Sequence, residues 1–279
     1  MQLIKNEKFD QERAFYGTDS VHLINCSFDG EADGESAFKE SKNVKVENCF
    51  FNLRYPFWHD TKVEIFESEL TPLCRAALWY SNEISIKNSV LHGVKALREC
   101  SNIELLDSDI DSVEFGWFSK NIKLINSKVN GEYFMLRAEE LEIKNVNFIG
   151  KYSFQYIKNA VFENCEINTK DAFWHAKNVL VRNCIVKGEY LAWYSENVTF
   201  ENCIIYGTQP LCYCKGLKLI NCEMYDADLA FELSEVEATL KTSLISIKNP
   251  IKGEIHLPVE CEIIKDNTSF ECDIFVDKK

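Results

Sequence analysis

Long apolar runs are missing from this sequence. No segment approaches the roughly 20 consecutive apolar residues of a membrane-spanning helix. The N-terminal stretch MQLIKNEKFDQERAFYG also lacks the apolar core of about 7–15 residues that a secretory signal carries. The expectation is a soluble, cytoplasmic protein with no membrane partner. Positive charge is short as well: 31 Lys and Arg face 44 Asp and Glu, a formal charge of -13. Such a surface repels phosphate backbones, so nucleic acid is not an expected partner. Gly-rich phosphate loops and nucleophile elbows are absent. So are CxxC pairs, which leaves the single Cys212-x-Cys214 without a partner pair; neither a metal site nor a cofactor is expected.

What is present is a repeat. Aligning on an Asn-Cys pair gives Asn25, Asn48, Glu67, Asn88, Asp107, Asn126, Asn145, Asn164, Asn183, Asn202 and Asn221, with steps of 23, 19 and 21 residues and then 19 throughout. Around each pair the pattern is apolar-x-apolar-x-Asn-(Cys/Ser)-x-apolar, as in Val198, Phe200, Asn202, Cys203 and Ile205. That alternation, rich in Val, Ile and Phe, is the signature of a strand. A unit this short closes no core alone but buries a continuous one when stacked. Helical repeats are longer, and the six-residue rhythm of a left-handed solenoid is not there. The pattern predicts an all-β, right-handed parallel β-helix of about a dozen coils with a 19-residue repeat. Residues 1–20 and 244–279 lack the unit and are expected to be an N-terminal cap and C-terminal coils with a cap, flanking coils over 21–243. Insertions at 30–36 (GEADGES) and 71–76 (TPLCRA) lengthen two coils.

In such a fold, residues one period apart stack. The columns through Val21, Val44 and Val63 and through Leu23, Val46 and Ile65 are the expected core. The asparagines form an expected ladder, in which amides bond to each other and to corner backbone and so relieve the penalty of burying polar atoms. Beside it, Cys alternates with Ser and Val (Cys49, Ser68, Val146, Cys165), the mark of a small buried side chain rather than a reactive thiolate.

A second pair of columns differs in kind. All five tryptophans fall in one, through Trp58, Trp79, Arg98, Trp117, Leu136, Gln155, Trp174 and Trp193. The next holds His59, Tyr80, Glu99, Phe118, Arg137, Tyr156, His175 and Tyr194. The preceding column, through Phe57, Leu78 and Phe173, reads as inward, which turns the tryptophans out; the opposite parity would crowd large rings into a narrow interior. Trp79, Arg98, Glu99, Trp117, Arg137, Tyr156, Asp171, Trp174, His175, Trp193 and Tyr194 are therefore the candidate ligand stripe. Aromatic faces suit sugar rings and the charged neighbours suit hydroxyls and carboxylates, so the expected ligand is a saccharide or similar polar small molecule. The alternative is a scaffold whose stripe pairs with another chain, a homodimer included. A second alternative is a carbohydrate-active lyase, epimerase or hydrolase using His175, Arg137 or Glu99, although acids are sparse in the stripe and such groups also serve as salt bridges.

The unit NVxVxNCxF, with ERAFYG at Glu12–Gly17 and repeated WxxxxNV blocks, resembles an uncharacterised bacterial family of single-stranded right-handed β-helix proteins known only as a domain of unknown function. The resemblance implies a pectate-lyase-like fold and brings no activity and no functional residues. The chain has no GHG or RIK block and no NTD or DD pair of the kind polygalacturonase-like hydrolases carry. Nor does it have the multiple-Asp calcium constellation of pectate lyases.

Overall fold

A computed structural model describes residues 1–266 and 270–277. The fold is all-β with no helix among the described residues: a parallel β-solenoid of about 14 turns with a ~19-residue repeat. It divides into two compact units, Met1–Glu142 and Ile143–Lys279, of the same construction.

In the first unit the expected core columns stack in register. Val21 lies against Val44 and Leu23 against Val46, then Val44 against Val63 and Val46 against Ile65. All are fully buried or nearly so, and each such side chain contributes about 1.5–3 kcal/mol. Phenylalanines fill the rest. Phe28 stacks on Phe51 at 4.6 Å, and Phe38 on Phe57 at 5.1 Å. The first residues are themselves a coil, since Gln2–Lys5 pairs in parallel with Val21–Ile24. In the second unit Val179 lies on Val198 and Phe200 on Leu219. Strands at Lys252–Leu257 and Glu271–Val276 continue the parallel pairing beyond the last Asn-Cys unit. Residues 267–269 and 278–279 of the expected C-terminal cap lie outside the described residues.

The asparagine column departs from expectation. Its members from Asn25 to Asn221 are exposed, so relief of burial is not what selects them. Their shared property is φ between 45° and 54°. This is the left-handed region that Asn and Asp tolerate best among residues with a side chain. Amide bonds along the column are present at some steps, such as Asn48 Nδ2 to Asn25 Oδ1 at 2.7 Å and Asn25 Nδ2 to Asn6 Oδ1 at 3.2 Å. A second column of this kind lies at the second residue of the core strands, where Asn121 Nδ2 donates to Asn102 Oδ1 at 2.7 Å in the first unit and Asn178 to Asn159 at 3.0 Å in the second. Close approach sets other corners. A Cβ on Gly93 would sit 2.2 Å from the Cys74 carbonyl oxygen.

The Cys/Ser column does more than fill space. Ser68 Oγ donates to the Phe66 carbonyl at 2.6 Å and accepts the Cys49 N–H at 3.0 Å. Cys184 does the same in the second unit, donating Sγ–H to the Arg182 carbonyl at 3.1 Å and accepting the Cys165 N–H at 3.3 Å. Cys and Ser interchange because each offers one small group that both donates and accepts. All 12 cysteines are free thiols, all but Cys261 buried, and burial pushes Cys49 up to about 11 and Cys100 up to about 12. These two are not poised as nucleophiles.

On the opposite corner of the first unit a similar column runs Ser41, Asp60, Ser81, Cys100 and Ser119. Asp60 takes a serine's place: its Oδ1 accepts the Ser41 N–H at 2.8 Å, and its own N–H donates to Ser81 Oγ at 3.0 Å. Its Oδ2 is buried without a partner among the described residues. Burial raises its pKa to about 8, opposed by the Ser41 and Glu40 backbone bonds and aided by the Glu40 charge. The folded protein therefore holds a proton that the unfolded chain, with an Asp near its ordinary 3.8, releases. Stability from this group is complete below about pH 4 and declines as pH rises to about 8. Asp60→Ser should remove that decline, leaving a flatter melting temperature from pH 5 to 8 and a more stable protein at pH 8. Identical pH profiles for the two proteins would refute a protonated Asp60.

Candidate functional site

The tryptophans face outward, and the backbone explains how two successive side chains can do so. The residue after each tryptophan position is left-handed, as at His59, Tyr80, Glu99 and Phe118 (φ 50–60°) and at Tyr156, His175 and Tyr194 (φ 55–59°). This conformation turns the corner and leaves both side chains on the outer surface. Each tryptophan is only half-buried, and its indole N–H is engaged. In the first unit Trp58, Trp79 and Trp117 donate to the carbonyls of Ala76, Lys95 and Tyr133 at 2.7, 2.8 and 2.6 Å. In the second, Trp174 and Trp193 donate to Tyr190 and Gln209, both at 2.7 Å. Every acceptor lies three residues before the same column's position in the next coil. Gln155, which stands in the tryptophan column, makes the equivalent bond from Nε2 to the Asp171 carbonyl at 3.3 Å. Trp and Gln both supply an N–H donor of sufficient reach, which Leu136 in the same column does not.

The ring faces are largely covered by one another. Trp58 and Trp79 stack at 5.1 Å with planes 2° apart. The Arg98 guanidinium lies 5.3 Å from the Trp79 and Trp117 rings and 5.5 Å from Phe118, while Glu99 pairs with Arg98 at 3.4 Å. The structure thus brings Trp79, Arg98, Glu99 and Trp117 together. Arg137 is exposed on a left-handed corner of the same unit. In the second unit His175 is sandwiched by Tyr156 at 4.7 Å and Tyr194 at 5.1 Å, and Tyr194 stacks in turn on Tyr213 at 4.7 Å. Trp174 and Trp193 stack at 5.4 Å. Burial lowers the His175 pKa, favouring the neutral imidazole. Asp171 is buried, which raises its carboxyl pKa, and among the described residues no hydrogen bond joins it to His175. These columns present ring edges, hydroxyls and charged tips rather than open aromatic faces.

Concave surface in the first unit adjoins the tryptophan column and the insertions. A hollow of about 370 Å³ is lined by Tyr55, Trp58, Trp79, Val94, Lys95, Ala76 and Arg75. A second, of about 580 Å³, is lined by Asp29, Asp33, Asn52, Arg54, Leu73 and again Arg75. Both volumes are of the size that holds small ligands. Part of the walls comes from the insertions at 30–36 and 71–76, through Gly30 and Asp33 in the first and Pro72, Leu73, Arg75 and Ala76 in the second. The first insertion packs down where Gly34 passes the backbone of Gln11 and Glu12, each 2.2 Å from where a Cβ would be. Arg54 then ties it to the next coil through Asp33 at 2.8 Å and Glu35 at 3.0 Å. Asn52 is held between Asp29 and Thr71. A more open depression of about 590 Å³ beside Arg98 and Glu99 includes Phe118 and Lys120. Tyr55, Arg54, Arg75 and Lys95 were not candidates from sequence, because the two columns that hold them, three and four positions before the tryptophans, mix residue types, with Tyr55 and Lys95 beside Glu114, Tyr133 and Tyr190 in one and Arg54 and Arg75 beside Val94 in the other. The available signal was the pair of irregular steps, 23 and 21 residues, that mark where chain leaves the regular coil. Among the described residues no group of three or more His, Cys, Asp or Glu is placed to hold a metal ion.

A family model described as a protein of unknown function (DUF3737) matches residues 2–275. No curated protein is similar to the chain by sequence. Among solved structures, the A-module of Azotobacter vinelandii mannuronan C-5 epimerase AlgE4 is 13% identical over 86% of this chain and 80% of its own, with TM-score 0.32. A GH87 α-1,3-glucanase catalytic domain is 8% identical over 98% and 63%, with TM-score 0.35. The fluoroquinolone resistance protein QnrB1 is 11% identical over 72% and 92%, with TM-score 0.30. At these values the likenesses carry no inference about function.

The indole bonds give a direct test. Trp174→Phe keeps most of the ring and deletes the N–H, leaving the Tyr190 carbonyl without its donor. It should cost about 0.5–1.5 kcal/mol, read as a lower urea midpoint at unchanged slope. An unchanged midpoint would show that the bond adds nothing.

Proposed function

We propose that this chain, which belongs to the DUF3737 family of proteins of unknown function, binds a saccharide or similar polar small ligand in the groove of its first unit. The observation that carries the reading is the pair of hollows sharing Arg75, one edged by Tyr55, Trp58 and Trp79 and the other by Asp29, Asp33, Asn52 and Arg54. Aromatic edges beside convergent amide, carboxylate and guanidinium groups suit a ring-shaped ligand that alternates C–H surface with hydroxyls. The outer columns support binding less well, because their ring faces cover one another. An enzymatic reading is weaker still: Glu99 is engaged by Arg98, and Asp171 makes no hydrogen bond to His175.

Calorimetric titration of the full chain with a panel of neutral and acidic oligosaccharides of two to six rings tests the reading. Binding is expected to weaken at least about tenfold in Tyr55→Ala, which removes one wall of the groove, and to persist in Tyr194→Ala, which alters only the second unit's outer column. Absence of binding across the panel would remove the proposal. Binding abolished by Tyr194→Ala and untouched by Tyr55→Ala would transfer it to the second unit.

A further inference from the structure

We propose that the ligand held in this groove carries an anionic group and that Arg75 receives it; this rests on the binding reading above and narrows the ligand class. Arg75 is exposed and lines both hollows. Its guanidinium lies 5.6 Å from the centre of the Tyr55 ring. That contact positions the cation without using any of its five N–H donors. Its main chain is fixed too: the N–H donates to the Leu73 carbonyl at 2.8 Å, and its carbonyl accepts the Tyr55 N–H at 3.1 Å.

Among the described residues Arg75 makes no ion pair. This sets it apart from Arg13, Arg54, Arg98 and Arg182, each of which holds a glutamate or aspartate within 3.4 Å. The acids of the groove are already engaged. Asp33 is held by Arg54 and Asp29 by Asn52 at 2.8 Å. Lys95, the other cation of the aromatic hollow, pairs with Glu114 at 3.2 Å. In a chain of net charge -13, the one guanidinium left uncompensated in the groove is thus also the one at the junction of its two halves. A planar fork of donors matches a carboxylate, and it also accepts the oxygens of a sulfate or phosphate ester. The shared chemistry is a monoanionic or dianionic oxygen group on a sugar-like frame.

Three probes of equal length separate the possibilities: a uronate oligosaccharide, the same oligosaccharide with its carboxyls reduced to alcohols, and a sulfated form of that reduced product. Each would be titrated into the wild-type chain, Arg75→Gln and Arg75→Lys, with melting curves confirming that all three fold. The expected result is that wild type prefers at least one anionic probe over the reduced one by about tenfold or more. Arg75→Gln should erase that preference while keeping the weaker binding of the neutral probe, and Arg75→Lys should restore part of it. A tighter uronate identifies a carboxylate ligand, and a tighter sulfated probe an ester. Equal binding of neutral and anionic probes, or a preference that survives Arg75→Gln, overturns the assignment and leaves the groove as a neutral-sugar site. Failure of every probe to bind wild type removes the underlying reading and this inference with it.

Discussion

Everything in this molecule follows from one constraint: successive coils are hydrogen-bonded in parallel at a fixed offset, so each side chain meets its counterpart one turn away. The ladders through Val44, Val63 and Ile84 and through Val179 and Val198 set that offset. They leave the corners, where strands end, with polar backbone groups that the ladder does not satisfy. The corners are where the columns become chemically specific. A Ser or Cys accepts an N–H from the coil before it and donates to its own carbonyl two residues back. A Trp or Gln reaches forward to a carbonyl of the coil after it. Both devices work only in strict register, and both reinforce it.

The left-handed residues are the second consequence. A coil of about nineteen residues must turn sharply several times, and glycine, the residue best suited to positive φ, adds the most conformational entropy to the unfolded chain. The chain has only 11 glycines. It places Asn or Asp at nearly every corner of the Asn-Cys column and at many of those at the second residue of the core strands, accepting a small steric cost in exchange for less entropy lost and a polar side chain able to bond along the column. The corner after each tryptophan uses His, Tyr, Phe, Arg or Glu at the same φ. The stacking of those large side chains, such as His175 between two tyrosines, offsets a strain that a single residue would bear poorly.

Fold class, period, both core columns and the outward tryptophans were legible in the sequence, because apolar alternation and a constant step are direct images of the ladder. The roles of the polar columns were less so. Interchange of Cys with Ser identified a small buried residue but not that it relays hydrogen bonds, since that depends on where the N–H of a different coil points. The asparagines were assigned to burial because their repetition resembles a core column, whereas φ, which periodicity does not encode, is what they share. Gln155 shares with the tryptophans a forward N–H bond that residue type alone does not reveal. The groove residues Tyr55, Arg75 and Lys95 escaped because their columns mix residue types, as Tyr55, Ala76, Lys95, Glu114 and Tyr133 do, and column reading weighs what recurs.

That last point bears on where a regular solenoid can hold a ligand at all. A column in perfect register presents the same group at every turn, so rings bury each other's faces, as Trp58 does Trp79. Charges acquire neighbours of opposite sign in the same way, as Lys177 does Glu196 one coil away. Repetition consumes the binding potential of the groups it repeats. In the first unit two hollows and an uncompensated charge lie where the period is broken by the insertions at 30–36 and 71–76. Arg75, at the end of the second insertion and facing the wall raised by the first, stands where the ladder's self-satisfaction lapses. The features that make the coil a poor ligand surface are therefore the same ones that make its irregular turns the place to look for one.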